Sequence, residues 1–425
     1  NPDAFLKLVN SKVPFLNGGL FECLDIRGEK ENPKDRVYID GFTDNLPKSI
    51  HLVVPDFIFF GKEHTEDISD TIGITSKEYQ KANVKGLFEI LKSYNFTIEE
   101  NTPLEEEVAL DPELLGRVFE NLLASYNPET KTTARKQTGS FYTPREIVNY
   151  MVDESLKAYL KQKLLDNQNM TEEEAERRLA LLVSYSEKYF NVENRFDEKQ
   201  TKLLIQAIDE CKILDPACGS GAFPMGVLHK MVHMLHKLDP DNKYWKEIQK
   251  NKAENEAKIA FKSNKDESLV ERLHEISNAF DESINNPDYA RKLFIIENCI
   301  YGVDIQPIAT QISKLRFFIS LVVDQKVQKE KENFGIHPLP NLETRFVTAN
   351  TLIGLDKPDD NTELFANKEA RDLQKELKQV RHKLFSAKTS ATKKKYRDKD
   401  KEIREKLAEI IADEFVKDKD NRIEK

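Results

Sequence analysis

The sequence predicts an α/β fold built on a parallel, doubly wound sheet. Three short apolar runs support this, in ILDPACGSGAF (residues 213–223), NCIYGVDIQPIATQISKLRFFISLVV (298–323) and RFVTANTLIGL (345–355). The first two runs end on Asp215 and Asp304 and pass directly into long helix-compatible segments, and Asn350 follows the third. Alternating strands and helices are typical of parallel sheets, in which ligands bind beyond the carboxyl ends of the strands. We therefore expect these three polar residues to share one rim.

The N-terminal half is predicted to be mainly helical. Residues 1–110 are interpreted as a small helical subdomain with a short hairpin at the Asn-Gly-Gly of PFLNGGLFECLDI, and Pro55 interrupts the apolar run HLVVPDFIFFG. Residues 111–210 form a helical region that begins with DPELLGRVFENLLA, where Asp-Pro marks a helix start. Within it, Thr143 and Pro144 of TGSFYTPREIVNYMV (138–152) open another amphipathic helix.

The strands and helices of the predicted core occupy residues 211–356. A charged helical insertion at about 239–290 interrupts them, and its composition predicts a solvated excursion rather than core. The remaining residues, 357–425, are predicted to form a helical hairpin. Apolar residues recur there at heptad-like spacing on both sides of a SAKTSA interruption: Leu373, Leu377, Val380, Leu384, Ile403, Leu407 and Ile410.

Length, charge and cysteine usage limit the function classes. With 425 residues the chain should form two or three domains. A net charge of −9 gives no global basic surface, so contact with nucleic acid would need a local patch. The four cysteines form no C-x-x-C unit, and no apolar run reaches about 18 residues. We expect a cytoplasmic, reduced protein without structural zinc, secretion signal or membrane partner.

The small residues after Asp215 predict a ligand-binding turn. Glycines remove the side chains that would block a ligand, so Ala217, Gly219 and Gly221 allow it to lie against the backbone at a helix start. Asp304, at the end of the second strand, suits the two hydroxyls of a ribose. Alone, such a turn also fits a tight connection or another nucleotide site, and Asp304 also fits a helix cap.

These segments resemble the cofactor motifs of DNA amino-methyltransferases. DPACGSGAF resembles motif I, which holds the methionine part of S-adenosylmethionine, and TGSFYTP resembles motif X, which meets its carboxylate end. YGVDIQPIATQISKLRF resembles motif II, in which Asp304 would bind the ribose hydroxyls and Ile305 would pack on the adenine. Asn350 stands where many relatives have an Asp that accepts from the adenine amino group. The cofactor residues implied are Tyr142, Thr143, Asp215, Ala217, Cys218, Gly219, Ser220, Gly221, Phe223, Asp304, Ile305 and Asn350.

The order X, I, II, III is that of the gamma group of N6-adenine methyltransferases. Together with LNGGLFE and PLPNLETRF, it resembles the Eco57I-like restriction-modification proteins, including type IIG enzymes, over most of residues 14–355. The resemblance implies a Rossmann-like S-adenosylmethionine-dependent methyltransferase core with a helical N-terminal domain and helical insertions. In the intact protein it implies methyl transfer to adenine N6 in double-stranded DNA, with the base flipped out of the helix.

The catalytic motif IV of this family, Asn-Pro-Pro-Tyr or Asn-Pro-Pro-Phe, does not occur in the sequence. NPDY (286–289) precedes motif II and lacks the second proline. We therefore assign no catalytic residue and expect a fragment, inactive alone, that ends before motif IV. A nuclease centre is not found either, because VPDFIFFGKEH lacks the acid-x-Lys half. Mg²⁺ is expected only if the full-length protein carries a nuclease domain.

Two alternatives from other classes stay open at this point. One is an RNA or protein methyltransferase that shares motif I, and the other is a non-catalytic binding module with a vestigial pocket. His229, His233 and His236 share a helix, but no acidic or Cys residue stands at a matching position, so no metal site is predicted. The sequence does not specify an oligomeric state.

Overall fold

The computed structural model describes residues 14, 16, 55–69, 77, 79–93, 126–127, 132–133, 143–167, 170–185, 196–260, 266–337, 339–352, 368–387 and 390–423. It divides the chain into two compact units, Phe21–Asp111 and the combination of Asn1–Leu20 with Pro112–Lys425. The hairpin predicted at Asn-Gly-Gly and the helix predicted over residues 111–124 lie outside the described residues.

In the described part of the smaller unit, two glycines allow a close backbone approach between short elements. Helix α1 (Phe57–Phe60) follows Pro55, strand β1 (His64–Glu66) pairs antiparallel with β2 (Ala82–Val84), and helix α2 (Leu87–Lys92) comes next. The amide of Gly86 donates to the carbonyl of Gly61 over 2.7 Å. A Cβ on Gly86 would lie 2.5 Å from the nitrogen of Gly61, so only glycine allows this approach.

From residue 126 onward, the described part of the larger unit starts with two short strands and three helices. Strands β3 (Tyr126–Asn127) and β4 (Thr132–Thr133) pair antiparallel. Helices α3 (Arg145–Asn167), α4 (Glu172–Val183) and α5 (Glu198–Glu210) follow. Helix α3 starts directly after Pro144, which confirms the predicted start. The three helices contribute fully buried leucines to the core: Leu160, Leu164, Leu179 and Leu204.

A parallel sheet carries the three predicted strands, β5 (Ile213–Asp215), β6 (Ile300–Asp304) and β7 (Phe346–Thr348). Its order is β5-β6-β7, so β6 is central. The strands and their parallel pairing are confirmed. Each strand is short, and the acid or loop that follows it lies at the same edge of the sheet.

Helices α6 (Ala222–Leu238), α7 (Lys243–Ala260), α8 (Asp266–Ala279) and α9 (Pro287–Asn298) separate β5 from β6, and α10 (Pro307–Val322) follows β6.

One face of the sheet is packed and the other is partly exposed. Phe346 of β7 packs on Phe317 of α10, with ring centroids 4.7 Å apart. On the opposite face Leu214 and Val347 are 61% and 42% exposed. A doubly wound sheet has helices on both faces, and that arrangement stays a prediction.

The charged insertion is helical, as predicted. The expectation that it is solvent-exposed and does not contribute to the core is wrong for the residues that face the core. Trp245 of α7 is fully buried and belongs to the main core. Asp239 caps the helix by accepting from the amides of Lys243 and Trp245 over 2.9 and 2.8 Å. The Gln249 side chain donates to Asp209 over 2.8 Å. The prediction relied on the charged composition of the whole segment, so it did not identify the few residues that pack against the core.

The C-terminal segment contains two helices, α11 (Lys368–Ser386) and α12 (Ser390–Ile423). The Asn341 side chain donates to the carbonyls of Leu384 and Ala387 over 2.7 and 2.9 Å, which ties the end of α11 to the main unit. None of the helices in the described part of the chain has the length and apolar character needed to cross a bilayer. The contact between α11 and α12 is formed by buried apolar residues on one side of each: Ala370, Val380, Ile403 and Leu407.

Candidate functional site

The loop between β5 and α6 has a backbone that favours glycine. Gly219 and Gly221 adopt φ angles of +53° and +87°, in the left-handed region. A Cβ added to Gly219 would meet no atom within 4 Å. The backbone at Gly219 therefore faces open space on the side where its side chain would lie, which leaves room for a ligand.

Asp304, at the end of the central strand, organises the loops around it. Its Oδ2 accepts from the amide of Gly219 over 2.9 Å, and its Oδ1 accepts from the amide of Gln306 over 2.8 Å. An ionised carboxylate offers about four lone-pair sites, so each oxygen retains capacity for a second donor. Ile305, next to it, is 60% exposed and presents an apolar surface at the same rim.

Asp215 has one buried oxygen without a hydrogen-bond partner. Its Oδ1 accepts from the amide of Ala217 over 3.1 Å, whereas its Oδ2 is buried and makes no hydrogen bond. Burial raises the pKa of Asp215, the amide of Ala217 opposes that effect, and the charge of Asp304 adds to it. An unpaired buried carboxylate oxygen is costly, and a cationic group placed beside it would relieve that cost.

Some of the predicted cofactor residues direct their side chains to the core instead. The Cys218 thiol is buried, and burial, with the charges of Asp215 and Asp304, raises its pKa to about 12, so it is not a nucleophile. Ser220 is also buried, and Phe223 packs against the main core. A contact from Ser220 to a ligand would therefore be made by its backbone, whereas the amide of Cys218 already donates to the carbonyl of Val303 over 2.9 Å.

The loop after β7 reaches both neighbouring loops. The amide of Ala349 donates to the carbonyl of Asp304 over 2.9 Å, and the Thr351 hydroxyl donates to the carbonyl of Pro216 over 3.1 Å. The Asn350 side-chain oxygen accepts from the amide of Leu352 over 3.0 Å, in a local turn. The structure thus brings the three predicted strand ends together at one rim.

Helix α3, which follows the segment that resembles motif X, lies against helix α6. Tyr142 lies outside the described residues, and Thr143 is half-buried just before α3. A Cβ on Gly226 of α6 would lie 2.6 Å from a methyl group of Val148 in α3, so glycine allows the two helices to pack closely. A cavity of about 30 Å³ lies between them, and its polar lining is Arg145, Asn149, Tyr185, His229 and Arg316.

Two residues that contact the candidate site were not predicted from the sequence, Ser313 and Arg316 of α10. Both contact the motif I loop: the Ser313 hydroxyl donates to the carbonyl of Gly219, and the Arg316 guanidinium donates to the carbonyl of Ser220, each over 2.9 Å. The signal that could have revealed them is their three-residue spacing, which places both polar side chains on one side of the helix.

The three histidines of α6 do not form a metal site with acidic or thiol partners. Among the described residues no group of three or more His, Cys, Asp or Glu side chains is arranged to hold a metal ion. A ring nitrogen of His233 lies 2.8 Å from the carbonyl of Ser184, and burial lowers its pKa to about 4. His233 is therefore neutral at pH 7 and has a structural contact.

Comparison with known proteins supports the family suggested by the motifs. Residues 298–424 match the family model described as Eco57I restriction-modification methylase. The chain is also 23% identical over 409 residues to a putative type II restriction enzyme and methyltransferase of Methanocaldococcus jannaschii, covering 95% of this chain and 26% of that protein.

The chain thus spans about a quarter of the length of that curated relative. No solved structure matches it. These findings confirm the predicted resemblance to Eco57I-like restriction-modification methylases.

Proposed function

We propose that this chain is the cofactor-binding portion of a site-specific DNA adenine-N6 methyltransferase of a restriction-modification system, and that its cofactor is S-adenosylmethionine. The observation that carries the proposal is the bare, left-handed backbone at Gly219, bonded to Asp304 at the end of the neighbouring strand. A glycine-rich turn next to an acid that can bind a ribose is the arrangement a nucleoside cofactor requires. The family match supports methyl transfer as the reaction class.

The nucleoside half of the cofactor fits the second strand end. The ribose hydroxyls would donate to the Asp304 carboxylate, which the amides of Gly219 and Gln306 already orient. The exposed Ile305 side chain would pack against one face of the adenine. Asn350 lies on the adjoining loop, where its amide would reach the edge of the base.

The methionine half fits the first strand end. Its ammonium group would lie beside the unpaired Oδ2 of Asp215. Its chain would run along the open side of Gly219, and its carboxylate would meet the hydroxyl of Thr143. The bound cofactor supplies an electrophilic methyl group, and the residues of this chain contribute by fixing its position and direction. We assign none of them to catalysis.

Double-stranded DNA is the substrate we propose for the whole protein. The base would be an adenine flipped out of the duplex, because its amino group cannot be reached inside the stack. The assignment to N6 rests on the order of the motifs X, I, II and III. The overall charge of −9 means that the DNA contacts would be made by local surfaces rather than by a general basic field.

Calorimetric titration with S-adenosylmethionine tests the cofactor assignment. We expect saturable binding by the wild type and at least about tenfold weaker binding by Asp304→Asn, because hydrogen bonds to charged groups contribute about 1.5–3 kcal/mol each. Asp241→Asn is a matched control, since Asp241 is exposed on the turn before α7. ATP and NAD⁺ are comparison ligands, because glycine-rich turns also bind these nucleotides.

Two results would contradict the assignment. One is a wild-type protein that is folded by circular dichroism yet gives no saturable signal at millimolar S-adenosylmethionine. The other is tighter binding of ATP or NAD⁺ than of S-adenosylmethionine. Equal loss of affinity in Asp304→Asn and Asp241→Asn would show that Asp304 does not contact the cofactor, but it would not contradict the binding of S-adenosylmethionine.

A further inference from the structure

We infer that Ser313 and Arg316, buried on α10, are positioning residues that hold the motif I loop in its ligand-binding conformation. This deepens the proposed function and rests on it for the identity of the ligand. Neither residue lies at a strand end, and neither is expected to touch the cofactor. They would act through the backbone of Gly219 and Ser220.

Hydrogen bonds engage both the amide and the carbonyl of Gly219 in the motif I loop. The amide of Gly219 donates to Asp304, and its carbonyl accepts from the Ser313 hydroxyl, both over 2.9 Å. The next carbonyl, that of Ser220, accepts from the Arg316 guanidinium over 2.9 Å. Ser313 is 0% exposed and Arg316 is 2% exposed, so water does not compete for these bonds. Three hydrogen bonds therefore fix two consecutive residues of the loop.

Such fixing matters because the loop is rich in glycine. Glycine populates left-handed and right-handed conformations about equally, so a loop containing Gly219 and Gly221 has many accessible states when it is free. A ligand that had to select one of them would lose affinity to the ordering cost. The bonds from α10 restrict the loop before the ligand arrives.

The packing at Gly221 supports the same conclusion. A Cβ on Gly221 would lie 2.9 Å from the Ser313 hydroxyl oxygen and 3.3 Å from its Cβ, so α10 lies directly against the loop. Because peptides are planar and trans, fixing the carbonyl of Gly219 also sets the direction of the Ser220 N–H, on the opposite side of the peptide. Ser313 thus determines which way the backbone of the loop faces.

The test compares substitutions at two serines of the same helix. Ser313→Ala removes the bond to the loop, whereas Ser320→Ala removes a bond of similar length, 3.0 Å, to the carbonyl of Phe317 within α10. Both serines are buried. We expect S-adenosylmethionine to bind Ser313→Ala roughly 2- to 10-fold more weakly than wild type. Ser320→Ala should bind as the wild type does.

A second pair of variants addresses Arg316. Arg316→Met should weaken binding roughly 10-fold or more, because a charged hydrogen bond is lost, and Arg316→Lys should recover part of the affinity. Hydrogen exchange at the amides of residues 217–221 without ligand provides a readout that general destabilisation does not reproduce. Exchange there should be faster in Ser313→Ala than in Ser320→Ala at matched thermal stability.

Equal exchange of the loop in Ser313→Ala and Ser320→Ala would overturn the positioning role, and so would unchanged cofactor affinity in both Ser313→Ala and Arg316→Met. The exchange experiment needs no ligand. A wild-type protein that fails to bind S-adenosylmethionine would therefore contradict the proposed function without deciding the role of Ser313.

Discussion

Replacing Gly219 with alanine should weaken cofactor binding in addition to costing some stability. Its φ of +53° imposes a cost of about 1–2 kcal/mol on a residue with a Cβ. No steric cost is added, because the new methyl group meets no atom within 4 Å. The methyl group would instead occupy the open side of the loop, where we place the cofactor. One misplaced methyl group in a fitted site changes affinity by about 10–200-fold, and we expect a loss in that range.

Gly302→Ala is the comparison variant, because its loss of stability would come from a steric clash in the core rather than from the backbone conformation. Its Cβ would lie 2.7 Å from the Phe346 ring and 2.9 Å from the Cys218 sulfur, both of them buried. Overpacking of this kind costs about 1–3 kcal/mol, so unfolding in urea should show at least as large a loss as for Gly219→Ala. Calorimetry with S-adenosylmethionine then measures the affinity of each folded variant. Unchanged affinity in Gly219→Ala would refute the placement of the cofactor.

Three further substitutions test the packing and the charges. Trp245→Ala should lower the free energy of unfolding by about 3–5 kcal/mol, measured in urea, because the indole is fully buried. Burial alone would raise the pKa of Glu297, but Arg272 and His382 outweigh it and hold that pKa below the ordinary 4.5. Its stabilisation is present above that pH and is lost as the pH falls below it, so Glu297→Gln should flatten the acid limb of the thermal stability curve. Burial raises the pKa of Asp215, so S-adenosylmethionine should bind more weakly at pH 5 than at pH 7.5, and Asp215→Asn should remove that dependence in calorimetry.

The strand ends could be predicted from the sequence because their signals are local. Asp215 and Asp304 each close an apolar run and precede a helix-compatible segment, and a pattern of that kind depends on neighbours along the chain. The structure places both strands where the pattern indicates and pairs them in parallel. The start of α3 after Pro144 is local in the same sense, because proline is favoured at the beginning of a helix.

The contacts of Ser313, Arg316 and Trp245 could not be predicted, because their partners are distant in sequence. Ser313 bonds to a residue 94 positions away and Arg316 to one 96 positions away. Periodicity marks the buried side of a helix but does not identify the loop that covers it. Trp245 is a large apolar residue within a charged segment, and the prediction of solvent exposure was based on the composition of the whole segment.

Asp304 has a second role that decides how its substitutions should be designed. In the order β5-β6-β7 the central strand contacts both neighbours, and Asp304 ends that strand. Its side chain accepts from the amide of Gly219 in the first loop, and its carbonyl accepts from the amide of Ala349 in the third. Removing the whole carboxylate, as in Asp304→Ala, would therefore release the first loop as well as any ribose contact. Asp304→Asn retains one side-chain oxygen as an acceptor, so it changes the charge while keeping part of the loop bonding. A larger affinity loss in Asp304→Ala than in Asp304→Asn, with faster exchange of the loop amides only in the alanine variant, would separate the contribution of loop order from that of the ribose contact.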